Sequence, residues 1–133
     1  INSNACEVIK DWSHNEVKVY DQSILDFEID KERDFTFTKW VLIHINPDNL
    51  NDVYDVLYNT SSKYVCIAEY YNPTPVEMDY RWNKGKLFKR DFCWEIMKRF
   101  PDLLLIDYGF AYHSDPTFPQ DDITWFLLEK KNK

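Results

Sequence analysis

The chain has 133 residues, is 17% aromatic and carries a net charge of −7. That length suits one domain able to bury roughly two-thirds of its unfolded surface. The acidic balance argues against nucleic acid or anionic membrane as partner, since both demand a cationic face. Only two glycines occur, Gly85 and Gly109, so neither a P-loop nor a dinucleotide-binding glycine pattern is present. Cys6, Cys66 and Cys93 are an odd number set among apolar residues, which suits free thiols in a reducing cytoplasm. No apolar run approaches the ~20 residues of a membrane span, and no signal peptide is visible. The first residue is Ile1.

In chain order, Asn2-Ser3 offers a cap before Ala5, Val8, Ile9 and Trp12, whose spacing predicts a short amphipathic helix. Val17–Tyr20 alternates as a strand does. Ile24 to Phe27 leads into a charged loop, and Asp34–Thr38 is the next strand. Lys39 to Ile45 either extends that strand or makes a tight helical turn under the sheet. Asn46-Pro47-Asp48 starts a helix whose stripe is Leu50, Val53, Tyr54, Leu57 and Tyr58.

Tyr64 to Glu69 is a short apolar run that reads as a buried central strand. It stops at Asn72-Pro73-Thr74-Pro75, where two prolines stiffen the loop. A polar segment, Glu77 to Gly85, follows. A second helix is expected on Phe88, Phe92, Ile96 and Phe100, ended by Pro101, with Lys84, Lys86, Lys89 and Arg90 as its solvated start. Leu103–Ile106 and Ile123–Leu128 are the last strands. No helix fits between them, so they are expected to pair antiparallel. The fold class is therefore α/β, with a mostly parallel sheet and an antiparallel last strand.

An α/β chain ending in helix, strand, long loop and reversed strand resembles the back half of a class I S-adenosylmethionine-dependent methyltransferase. Asp34-Phe35-Thr36-Phe37-Thr38-Lys39-Trp40-Val41-Leu42-Ile43-His44 resembles that family's fourth-strand signature. Together with Ala68 to Glu77, Gly85 to Phe92 and Phe118 to Phe126, it is similar to the methylases associated with pseudaminic acid biosynthesis. The resemblance covers essentially all 133 residues. It implies a single truncated methyltransferase domain, 1–133, with a partial Rossmann-like sheet. The family's first two strands, its glycine-rich turn and its ribose-binding acid would precede Ile1.

The resemblance implies S-adenosylmethionine as the cofactor of the complete protein. It lays Asp21 and Ser23 at the adenine edge, Ile24 on the adenine face, and Thr38 and Lys39 near the transferred methyl group. The alternatives are an ordinary strand-ending turn and a surface lysine. His44 is a candidate general base, because its unperturbed pKa lies near neutrality, or else a side chain packed under the sheet. Glu69, at the tip of the central strand, is a second candidate base, to which burial would lend a raised pKa. Tyr70, Tyr71, Asn72, Tyr80, Arg81 and Lys86 are candidate acceptor contacts, with Arg81 or Lys86 meeting a carboxylate or phosphate. His113, Asp121 and Asp122 make a polar cluster and poor evidence for a metal.

The partner implied is a small sugar-like substrate. The alternative function is a non-catalytic sugar- or protein-binding domain lacking cofactor binding. Without the family's first two strands, the Asp34–Thr38 strand has an unpaired apolar edge, which is an association hazard. The expected repair is either Val17–Tyr20 moving in beside it or a homodimer formed through that edge.

Overall fold

The computed structural model describes residues 2–131. Helix α1, Ser3–Trp12, starts where the sequence puts a cap: the Asn2 side chain accepts the Ala5 N–H at 3.1 Å. Its apolar stripe forms, yet no residue of α1 is buried and Trp12 is 78% exposed. The expected strand Val17–Tyr20 is absent. Its side chains find local partners instead: Lys18 pairs with Asp30 at 2.8 Å and Tyr20 packs edge-on against Phe27. A strand needs a neighbour's main chain, and this segment has none, so it does not repair the sheet.

Strand β1, Arg33–Lys39, turns Thr36 and Thr38 inward and leaves Phe35 and Phe37 half-exposed. The ambiguous stretch after it is a turn: Trp40 takes a left-handed φ of 55°, and Leu42–His44 is one turn of 3-10 helix. A second 3-10 turn, Pro47–Asn49, leads into helix α2, Leu50–Thr60, which buries Leu50, Val53, Tyr54 and Leu57 as its stripe predicts. Strand β2, Ser61–Glu69, follows at once.

The polar segment after the proline loop is in fact a hairpin, β3 (Val76–Tyr80) with β4 (Asn83–Lys89). Phe88 stands opposite Glu77 in that ladder and is not helical. Helix α3 spans only Phe92–Arg99, because Asp91 caps it by accepting the Trp94 N–H; a capping residue ends the helix on its N-terminal side. Lys84, Lys86 and Lys89 accordingly lie on β4, and the four-residue spacing from Phe88 to Phe92 bridges a strand and a helix.

Strands β5 (Leu103–Ala111) and β6 (Ile123–Lys130) pair antiparallel as expected. Strand β6 inserts between β2 and β5, giving the order β1-β2-β6-β5. The β1–β2 ladder is parallel, but both ladders of β6 are antiparallel. The sheet is thus mostly antiparallel, which corrects the mostly parallel expectation. Three strands do run the same way; the reversed one sits in the interior of the sheet, where it converts two pairings rather than one.

Helices α2 and α3 cover one face of the sheet around Leu42, Val53, Val65, Ile67, Ile96 and Leu128. The opposite face carries an apolar groove of about 350 Å³ between Phe37, Cys66, Ala68, Phe118 and Trp125. Cys93 is buried, Cys6 and Cys66 are half-buried, and all three are free thiols. No helix among the described residues is long and apolar enough to cross a membrane.

Two predictions follow from this packing. A Cβ at Gly109 would sit 2.7 Å from the Trp125 ring, so Gly109→Ala should cost about 1–3 kcal/mol, read by thermal unfolding. Edge strand β5 has an irregularity in mid-strand, between Leu105 and Asp107, whereas that of edge strand β1 lies at its start, between Arg33 and Phe35, and leaves Phe35 to Lys39 regular; bulges blunt edges. We propose that two chains pair along β1. Light scattering should return the mass of two chains, and Phe37→Lys should return one. A wild-type monomer at high concentration would exclude the pairing.

Candidate functional site

Strands β1 and β2 run parallel, and the start of the antiparallel β6 lies at the same end as their carboxyl termini. The residues just beyond these ends are therefore brought together by topology. They enclose a cavity of about 200 Å³ lined by Trp40, Ile43, His44, Tyr70, Tyr80, Leu87 and Asp121. Trp40 follows β1 and Tyr70 follows β2. Tyr80 and Leu87 come from the hairpin, which packs on the turn holding His44.

His44 Nδ1 lies 2.8 Å from the Lys86 carbonyl oxygen. A carbonyl only accepts, so Nδ1 carries the hydrogen and Nε2 of the neutral ring carries the lone pair. The ring sits 5.1 Å from that of Tyr80. Among the described residues Nε2 has no hydrogen-bond partner. A base with a defined tautomer, walled by aromatic rings, can receive a hydroxyl or ammonium proton.

Glu69 has a different setting. It is 2% exposed, and its carboxylate accepts the N–H groups of Val41 at 3.1 Å, Leu42 at 3.2 Å and Ile43 at 3.5 Å. These are donors that a short helical turn leaves unpaired at its start. Burial raises the Glu69 pKa, and the three N–H groups and the Thr38 hydroxyl act against that rise. Its carboxylate is thus engaged in holding the His44 turn on β2.

Of the other candidate contacts, Tyr70 and Tyr80 line the cavity, whereas Lys86 does not, its carbonyl oxygen serving only to accept from His44 Nδ1. Arg81 stacks on Tyr80, its guanidinium 5.2 Å from the ring centroid. Burial raises the Tyr70 pKa, helped by the charges of Asp121 and Asp122. Tyr71 lies apart, packed on Phe126, and the Asn72 side chain ties its own loop by donating to Thr74. Ser23 and Ile24 line a second groove of about 380 Å³ beside β1, where Ser23 Oγ accepts the Leu25 N–H. Asp21 is exposed outside that groove. Thr38 is buried, and Lys39 donates to the Gln120 side chain at 2.6 Å. The cofactor candidates therefore do not converge on one cavity. His113 pairs with Asp122 at 2.9 Å and is not among the residues lining the cavity.

Trp40, Leu87 and Asp121 escaped the sequence reading as walls of the cavity. The position of Trp40, immediately after a parallel strand, was the available signal. The hairpin that delivers Leu87 offered none, because its turn residues are Arg81 and Trp82 rather than the glycine or asparagine usual there.

No family model and no curated protein sequence matches the chain. Solved structures do. The crystal structure of a S-adenosylmethionine-dependent methyltransferase from Clostridium acetobutylicum ATCC 824 matches 98% of this chain with a TM-score of 0.63 at 10% identity. The structure of a DhpI–SAH complex matches 94% with a TM-score of 0.56 at 12% identity. The chain spans 71% of the first and 60% of the second. Its α/β fold with a mixed sheet is similar to these two structures.

Glu69→Ala leaves three N–H groups unpaired and should cost about 3 kcal/mol; Glu69→Gln keeps the oxygen that serves Val41 and Leu42 and should cost less. The folded state holds the Glu69 proton more tightly than the unfolded chain does, since its pKa is raised above 4.5. The stability margin of wild type over Glu69→Gln should therefore be largest below that value and shrink as pH rises through the folded pKa. Denaturant melts of both proteins across that range check the sign.

Proposed function

We propose that this chain carries the acceptor-binding side of a S-adenosylmethionine-dependent methyltransferase acting on a hydroxylated or aminated sugar, of the nonulosonic (pseudaminic acid) type. The similar folds of two methyltransferase-related structures support the class. The observation that carries the acceptor site is His44: its Nδ1–H is committed to the Lys86 carbonyl, so Nε2 is the free base of an aromatic-walled cavity. Rings such as Trp40, Tyr70 and Tyr80 suit the apolar faces of a sugar.

The groove beside β1, with Ile24, Phe27 and Ser23, fits an adenine ring in size and polarity. Nothing comparable fits the amino-acid end of the cofactor among the described residues. Gly85 is in the hairpin and Gly109 lies under Trp125, so neither makes a glycine turn between a strand and a helix. A sulfonium donor supplies its own leaving group, which leaves the protein to orient the nucleophile. The chain's own contribution is then to seat the acceptor between Trp40, Tyr70 and Tyr80, with His44 Nε2 taking the proton from the acceptor's nucleophilic oxygen or nitrogen. Glu69 keeps the turn carrying His44 in place, through the N–H groups of Val41, Leu42 and Ile43.

The test is transfer of labelled methyl from millimolar S-adenosylmethionine to a panel of hydroxylated and aminated sugars. Transfer should occur, and His44→Asn should lower it about a hundredfold. No transfer, combined with no heat of binding from millimolar S-adenosylhomocysteine, would overturn the reading. It would leave a sugar- or protein-binding domain without cofactor chemistry.

A further inference from the structure

On the face of the sheet opposite α2 and α3 lies the groove of about 350 Å³, a volume in the ordinary range of small-molecule sites. Small residues, Cys66 and Ala68 on β2 and Ala111 on β5, leave the room, and Phe37, Phe118 and Trp125 wall it. Gly109 admits the Trp125 ring, since a Cβ there would stand 2.7 Å from it. Phe118 and Gln120 come from the loop between β5 and β6. Within that loop Asp115 accepts the N–H groups of Thr117 and Phe118, each at 2.8 Å, and the Tyr112 carbonyl accepts the Gln120 N–H at 3.1 Å. The loop wall is thus fixed by its own hydrogen bonds.

The groove carries a single charge. Lys39 lines it and donates to the Gln120 side chain at 2.6 Å, and no acid lines it. Lys39 forms no ion pair among the described residues, although acids outnumber bases 23 to 16 in the chain. An ammonium group has three donors, and Gln120 takes one of them. Even with a second turned to the Trp40 ring, whose centroid lies 4.5 Å away, a third remains for an anionic oxygen. A cation beside an otherwise apolar groove complements a molecule with an apolar body and one anionic end.

We propose that this groove binds an amphipathic monocarboxylate, its hydrocarbon body lying between Phe37, Phe118 and Trp125 and its carboxylate meeting Lys39 Nζ. The groove shares no lining residue with the His44 cavity, so this ligand is a second one, distinct from the methyl acceptor. Burial of hydrocarbon supplies most of the affinity, and the charge-assisted hydrogen bond selects the acid over its alcohol.

The test adds octanoate and 1-octanol to the full chain, read by the Trp125 indole signal in NMR and by the rate at which a maleimide labels Cys66. The labelling uses Cys6→Ser, in which the other remaining thiol, Cys93, is buried. Octanoate should shift the Trp125 signal, slow the labelling and bind about tenfold more tightly than octanol, with a gap that narrows as salt is added. Each methylene added from hexanoate to octanoate should tighten binding about fourfold. Lys39→Met should bring octanoate to the affinity of octanol and leave octanol unchanged. Ala111→Leu, which fills the groove from the edge strand, should weaken both ligands; unmoved amide signals elsewhere show that the variants are folded. Equal affinity for acid and alcohol in the wild type, or no binding of millimolar octanoate, overturns the proposal. So does Cys66 labelling that slows with protein concentration alone and ignores octanoate, since a second copy of the chain then covers the groove.

Discussion

The carboxylate of Glu69 is the joint on which the site is built. It stands at the end of the central strand β2, almost fully buried, and takes the first N–H groups of the turn that follows β1. Burying a carboxylate is expensive, and those N–H groups would be unpaired without it. Each cost offsets the other, so the ends of two parallel strands are locked together. Trp40 and His44 flank the turn so fixed, and Tyr70 follows Glu69 directly. A wall from each strand end is therefore held by one buried acceptor.

The hairpin β3–β4 completes the arrangement from outside the main sheet. Its Lys86 carbonyl sets the tautomer of His44, and its Tyr80 and Leu87 close the cavity. The sheet supplies stiffness and the hairpin supplies chemistry, which is the usual division between a scaffold and the loops it carries. Lys84, Lys86 and Lys89 lie on β4 of this hairpin, whereas the acid lining the cavity is Asp121.

Much of the fold was legible because it depends on local rules. Asn2, Asn46-Pro47 and Pro101 mark helix ends through capping and missing donors, and α1, α2 and the end of α3 follow them. The apolar runs at Tyr64–Glu69, Leu103–Ile106 and Ile123–Leu128 became strands. His44, Tyr70 and Tyr80, all candidates from the sequence, line one cavity beyond the strand ends. The hairpin was not legible: an Arg-Trp turn carries no turn signature, and Phe88 happens to match a helical spacing with Phe92. Val17–Tyr20 shows the converse, an alternating pattern that stays a loop for want of a neighbour.

The sequence by itself determined where helices start and stop, which strands are apolar, and that one acid ends β2 while one histidine follows β1. Those features depend on side chains and prolines acting within a few residues of themselves. Only the tertiary structure decided that β6 enters the middle of the sheet, that Glu69 turns inward onto backbone N–H groups, and that the β3–β4 hairpin closes on the turn holding His44. Each of these depends on which main chain lies beside which, across separations of tens of residues. Pairing over such distances is selected by the burial of the whole core and leaves no local signature.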